Sequence, residues 1–144
     1  MYHLWEKTLK AFILRELGHY GLTEEGRREI ENANHRTLTE WLGELGFELD
    51  GKDYLEDLVT CRLITNTIKH GDGSSCRQLA ERAPELLGGS HGLEISFGTP
   101  RADDLWIEPE TFERLAKAIE TFWNEMPEEL TVPASWYERS EASA

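Results

Sequence analysis

Apolar residues along this chain recur with helical spacing over most of its length. Leu4, Trp5, Leu9, Phe12, Ile13 and Leu17 predict a first helix that Gly18 ends. Thr23 before Glu24 and Glu25 is a helix start with acids at the positive dipole end, and the polar stretch to about Asn34, with Ile30 its one large aliphatic, predicts an exposed second helix. Thr37 and Glu40 have capping-box spacing before Trp41 and Leu42, giving a third helix closed by Gly46. After a turn at Asp50 and Gly51, a long central helix runs from about Asp53 to a stop at Gly71. Ser75 with Gln78 reads as the capping box of the next helix, which reaches Ala83, and Pro84 leaves room for only one more turn through Leu87.

The period then changes. Past a glycine-rich connector at 88–92, Leu93, Ile95 and Phe97 alternate with Glu94 and Ser96 as a half-buried strand does, and Leu105, Trp106 and Ile107 read as a second short strand. Pro109 opens the last helix, whose apolar face is Phe112, Leu115, Ala116, Ile119, Phe122 and Trp123, and Pro127 ends it. The pattern predicts a mainly α protein: a bundle of five or six helices with a small β-hairpin, about 93–107, before the last helix. One domain is expected over 1–127, followed by a polar, partly disordered tail, 128–144, in which Trp136 and Tyr137 are the docking positions. At 144 residues such a domain buries about two-thirds of its unfolded surface.

The central helix carries the unusual pattern. At about 100° per residue, Arg62, Asn66 and His70 share one stripe with Leu55, Leu58 and Val59. The stripe changes from aliphatic to polar halfway along, with Lys69 beside it, and polar groups on a core-facing stripe must meet one another, a partner or a ligand. Cys61, Ile64 and Ile68 form a second apolar stripe on the far side, so burial between two layers or at a subunit interface is expected.

Charge narrows the partners. A net charge of −13 excludes coating of DNA, because backbone-driven affinity requires Lys and Arg. The charge is uneven, however. Residues 60–82 hold Arg62, Lys69, Arg77 and Arg82 against Asp72 and Glu81, whereas 103–129 hold Asp103, Asp104, Glu108, Glu110, Glu113, Glu120, Glu125, Glu128 and Glu129 against Arg114 and Lys117. A focused cationic site can bind one phosphate or a short strand even in a repelling body. No apolar run approaches the length of a membrane span, and no secretory signal is expected. Cys61 and Cys76 read as reduced thiols of a cytoplasmic protein. His3, His19, His35, His70 and His91 lack ligand spacing, and no phosphate-loop or dinucleotide fingerprint occurs, so neither metal nor cofactor is expected.

Arg62, Asn66, Lys69 and His70 are the best chemical candidates. His serves as general acid or base, Arg and Lys hold a phosphate and stabilise its developing charge, and Asn orients either. The set suits cleavage of an RNA phosphodiester, in which the 2′-hydroxyl is the nucleophile and no metal is needed. Without such chemistry, Arg62 would pair with a carboxylate such as Glu6 or Asp57, and His70 would cap the helix C-terminus.

The segment Arg62-Leu-Ile-Thr-Asn66-Thr-Ile-Lys69-His70 resembles the signature helix of the HEPN superfamily (higher eukaryotes and prokaryotes nucleotide-binding). The family is all-α and usually dimeric. Many members are metal-independent endoribonucleases of toxin–antitoxin, CRISPR-associated and phage-defence systems, while others are inactive binding modules. The resemblance implies that Arg62 and His70 are catalytic, paired across a homodimer cleft, with Asn66 as the polar position; Lys69 and Arg77 would then help Asn66 to hold RNA. Family members place four to six residues between Arg and His, whereas seven stand here. On this toxin-type reading a cognate antitoxin is an expected partner; the competing reading is an acidic immunity, antitoxin or adaptor protein that binds a basic protein partner through its negative surface, especially residues 103–129. On that reading neutralising Glu110, Glu113 and Glu120 abolishes function; on the first, losing Arg62 or His70 does.

Overall fold

The computed structural model describes residues 1–88 and 101–136. It is mainly helical, with α1 Tyr2–Gly18, α2 Glu24–Asn32, α3 His35–Glu44, α4 Leu55–His70, α5 Ser74–Arg82 and α6 Pro109–Glu125, plus single 3-10 turns at Pro84–Leu87 and Ala102–Asp104. No strand occurs among the described residues. The helices divide into two compact units, one built on His3–Lys52 and the chain from Glu125 onward, the other on Met1–Tyr2 and Asp53–Asn124.

In the first unit, α1 buries Trp5, Leu9, Ile13 and Leu17, an unbroken i, i+4 series that makes one straight seam. Leu4, predicted for that face, is instead 71% exposed. Thr23 caps α2 by accepting from the Gly26 amide at 3.1 Å, and Ile30 is its buried anchor. The start of α3 corrects the predicted capping box. Asn34, in extended conformation, accepts from the Thr37 amide at 3.0 Å, so the helix begins two residues before Thr37. Gly46 ends α3 with φ +91°, and a Cβ there would meet Thr131 at 3.2 Å, so only glycine fits. This close approach lets the Thr131 amide donate to the Leu45 carbonyl at 2.9 Å. Buried Glu16 accepts from the Leu130 amide at 3.2 Å and from Arg15, and Trp136 packs edge-on against Trp41 while donating to Glu44.

The second unit is organised by α4. Its buried residues include Thr60, Leu63, Ile64 and Thr67, which occupy one face, with Leu58 and Cys61 extending that burial in the first turns. The expected second apolar stripe therefore holds only in part: Cys61 and Ile64 are buried, but Ile68 is 67% exposed. Gly71 ends α4 with φ +69°, and its amide donates to the Thr67 carbonyl at 2.9 Å. The chain turns directly into α5, which packs against α4 through the side that buries Cys76 and Leu79. Gly73 occupies the N-cap position of α5 and no side-chain cap bond forms, so the predicted Ser75–Gln78 box is absent. Near the start of α6, Arg114 donates to Asp57 at 3.1 Å, and deeper in the helix Phe122 meets Tyr54 edge-on at 6.3 Å between ring centres.

The predicted hairpin is corrected where it can be seen. Leu93, Ile95 and Phe97 lie outside the described residues, and Leu105–Ile107 form no strand. Leu105 and Ile107 are half-buried while Trp106 is exposed, so the alternation is real. It reports an extended backbone with one side covered, not a ladder, because the Leu105 amide donates to the Ala102 carbonyl and the Trp106 amide to the Leu86 carbonyl. The turn before it is tied down as well: the Ala102 amide donates to Asp72 at 2.6 Å, and Arg101 pairs with Asp72 and Asp103.

These burials predict opposite responses on two sides of α4. Leu63→Ala should lower unfolding stability by about 2–4 kcal/mol, whereas Ile68→Ala should change it by less than about 0.5 kcal/mol. Urea denaturation of both variants measures the difference, and equal losses would contradict the assignment of the faces.

Candidate functional site

The site residues predicted from sequence all lie in the second unit, on α4 and α5. The helix brings Arg62 and Asn66 to one side, and both are half-buried. Lys69 and His70, in the last turn of α4, are exposed, as is Arg77 on α5. This side is not the core face. Arg62 sits roughly 150° around α4 from the Thr60–Leu63–Ile64–Thr67 face. The apolar members of the predicted stripe agree, since Leu55 and Val59 are also half-buried while Leu58 alone is enclosed. The polar residues thus continue a marginal stripe, and the core stripe itself stays apolar apart from two threonines.

Arg62 carries the cost of that margin. Its Nε atom is buried and has no hydrogen-bond partner, and among the described residues Arg62 belongs to no ion pair. Of the two partners expected from sequence, Glu6 pairs with Lys10 and Asp57 with Arg114. An unsatisfied buried donor costs about 1–3 kcal/mol, which an acceptor reaching that nitrogen would offset.

The neighbouring cations share this condition. Among the described residues, Lys7, Arg27, Arg62, Lys69 and Arg77 are the basic side chains outside any ion pair, and the last three belong to α4 and α5. By contrast Arg82 pairs with Glu56, Arg101 with Asp72, Arg114 with Asp57, and Lys117 with Glu120, all in the same unit. The start of α5, with no side chain capping it, adds the positive end of a helix dipole beside Lys69 and His70. Asp72, the acid within that loop, is occupied by Arg101 and the Ala102 amide.

Distances along α4 limit what one chain can do. Eight residue steps along the helix separate Arg62 from His70, a rise of about 12 Å. Side chains lean toward the helix N-terminus, which brings His70 back over Asn66 but carries Arg62 away from both. One chain therefore presents a cluster of Asn66, Lys69 and His70 at the helix end and a separate Arg62 about two turns below.

Sequence reasoning missed Thr67. Its hydroxyl is fully buried and without a partner, whereas Thr60, on the same face, donates to the Glu56 carbonyl at 2.9 Å. The signal was its spacing of four from Leu63 and seven from Thr60, which places it on the buried face. Both cysteines are buried, and neither is part of a disulfide. Burial pushes the Cys61 thiol up to about 11, with the charge of Asp57 adding to the shift, and burial together with Asp72 and Asp104 pushes Cys76 up as well. Neither thiol is suited to nucleophilic chemistry. Among the described residues, His, Cys, Asp and Glu form no group of three placed to hold a metal, and no helix is long and apolar enough to cross a membrane.

No protein-family model, curated protein or solved structure matches the chain. The functional reading therefore stands on the residues and their geometry.

Two consequences can be measured. Arg62→Met and Thr67→Val each remove an unpaired buried polar atom and keep side-chain volume, so each should leave stability unchanged or raise it by about 1 kcal/mol. A loss above about 1 kcal/mol in either, by urea unfolding, would mean that the atom has a partner in solution. Iodoacetamide at pH 8 should leave both native cysteines unlabelled while it labels both in urea, read by intact mass.

Proposed function

We propose that this protein is RNA-directed, binding RNA phosphates along the α4–α5 face and cleaving the chain without a metal. The observation that carries the reading is the group of unpaired cations, Arg62, Lys69 and Arg77, in a unit whose other described Arg and Lys side chains are neutralised by carboxylates. In a protein of net charge −13, cations left unpaired are available to an anion from outside. The resemblance of the Arg62–His70 segment to the HEPN signature helix adds the expectation that the anion is RNA and that the pair is catalytic.

In the proposed reaction His70, as general base, takes the proton of a ribose 2′-hydroxyl. The freed oxygen attacks the adjacent phosphorus and the bond to the 5′-oxygen breaks, leaving a 2′,3′-cyclic phosphate on one fragment and a 5′-hydroxyl on the other. The departing 5′-oxygen takes up a proton from an imidazolium or from water. Arg62 holds the negative oxygens as charge builds on them. Lys69, Asn66 and Arg77 keep the strand in place. Because about 12 Å of helix separates Arg62 from His70, the reading places Arg62 of one copy beside His70 of a second in a homodimer.

The test is cleavage of a mixed pool of labelled RNAs in EDTA by the wild type, Arg62→Ala and His70→Ala, with melting temperatures for all three. Wild-type fragments ending in 2′,3′-cyclic phosphate, lost in both folded variants, are the expected result. Arg62→Ala should also reduce the salt dependence of binding by roughly one phosphate contact. No cleavage and no RNA binding by the folded wild type would end the RNA reading.

A further inference from the structure

The last helix of the second unit has two apolar faces, and only one of them is fully buried. Leu115, Ala118 and Phe122 are buried on the inner face of α6. Phe112, Ala116, Ile119 and Trp123 follow each other at i, i+4, i+7 and i+11 on a stripe about 100° around the helix from it. Phe112 is 54% exposed, and Ala116, Ile119 and Trp123 are half-buried. Beside this stripe, on the side turned from the core, Glu113 and Glu120 stand one above the other at exposed positions. Glu113 and nearby Glu110 belong to no ion pair among the described residues, and Glu120 meets only Lys117 on its own helix.

We propose that this stripe of α6 is a docking surface for a basic amphipathic helix of another protein. Apolar residues of the partner would lie along Phe112, Ala116 and Ile119, while Lys or Arg side chains on its flank would face Glu113 and Glu120. Charge selects this occupant over a second copy. Two α6 helices laid antiparallel, stripe to stripe, would set Glu113 and Glu120 against the same acids, which is repulsive. The surface does not use the cations of α4 and α5, so the inference stands apart from the RNA reading.

The probe is a synthetic 18-residue peptide with Leu at helical i, i+3, i+4, i+7 spacing and Lys flanking the Leu face. It is compared with a scrambled peptide of identical composition and with a version carrying Glu for Lys. Titration into the full chain is followed by calorimetry and by amide NMR shifts. Saturable binding of the patterned basic peptide is expected, with shifts concentrated at 112–123 and an affinity lowered about tenfold or more by Phe112→Ala and also lowered by Glu113→Gln/Glu120→Gln. Phe112 is exposed, so its loss leaves the fold intact, which the melting temperature verifies. The proposal fails if the scrambled peptide binds equally well, which would mean charge attraction alone, or if Phe112→Ala binds like wild type. It also fails if no peptide binds, or if sedimentation shows a wild-type dimer that Phe112→Ala dissolves, which would assign the stripe to a second copy.

Discussion

The second unit depends on α4 being enclosed along one face, half-covered along the other and exposed only at its ends. Thr60, Leu63, Ile64 and Thr67 supply the covered face, and α5, folded back through Gly71 and Gly73, helps to cover it. With that face fixed, helical geometry assigns every other position on α4: Arg62 and Asn66 fall at the margin, and Lys69 and His70 at the exposed end. The chemistry of the site thus follows from packing on its opposite side. A change such as Leu63→Ala acts on the site only by loosening this constraint.

Arg62 shows how the margin differs from the two alternatives available to a charge. A fully exposed arginine would keep its water, and a fully buried one would require a carboxylate. Here one nitrogen is buried and unpaired, and the acids expected from sequence to pair with it, Glu6 and Asp57, have other partners. The surrounding electrostatics repeat the pattern. In the second unit carboxylates neutralise Arg82, Arg101, Arg114 and Lys117 and leave Lys69 and Arg77, like Arg62, without an ion pair among the described residues. Across α6 the arrangement is reversed, with Glu113 and Glu120 exposed beside an apolar stripe.

Part of this was legible from residues alone. The helical class, the stop at Gly71, the cap at Thr23 and the proline start of α6 each follow from a local rule that tertiary context has no reason to override. The candidate residues were found because polar groups interrupt a helical stripe. Errors came where a rule has two structural solutions. Both Asn34 and Thr37 can cap a helix, and the earlier one does. Period-two alternation at Leu105–Ile107 fits a strand or a merely extended segment, and hydrogen bonds to Leu86 and Ala102 decided for the latter.

The sequence by itself determined where the helices are and which side chains could carry charge or chemistry, because those depend on neighbours within about four residues. Only the tertiary structure decided which of several apolar faces is buried. That choice placed Leu63 and Thr67 inside, left Ile68 and Phe112 outside, and set Arg62 at the edge without a carboxylate. It rests on contacts between residues distant in the chain, such as Arg114 with Asp57 and the Ala102 amide with Asp72, which no periodicity within one helix encodes.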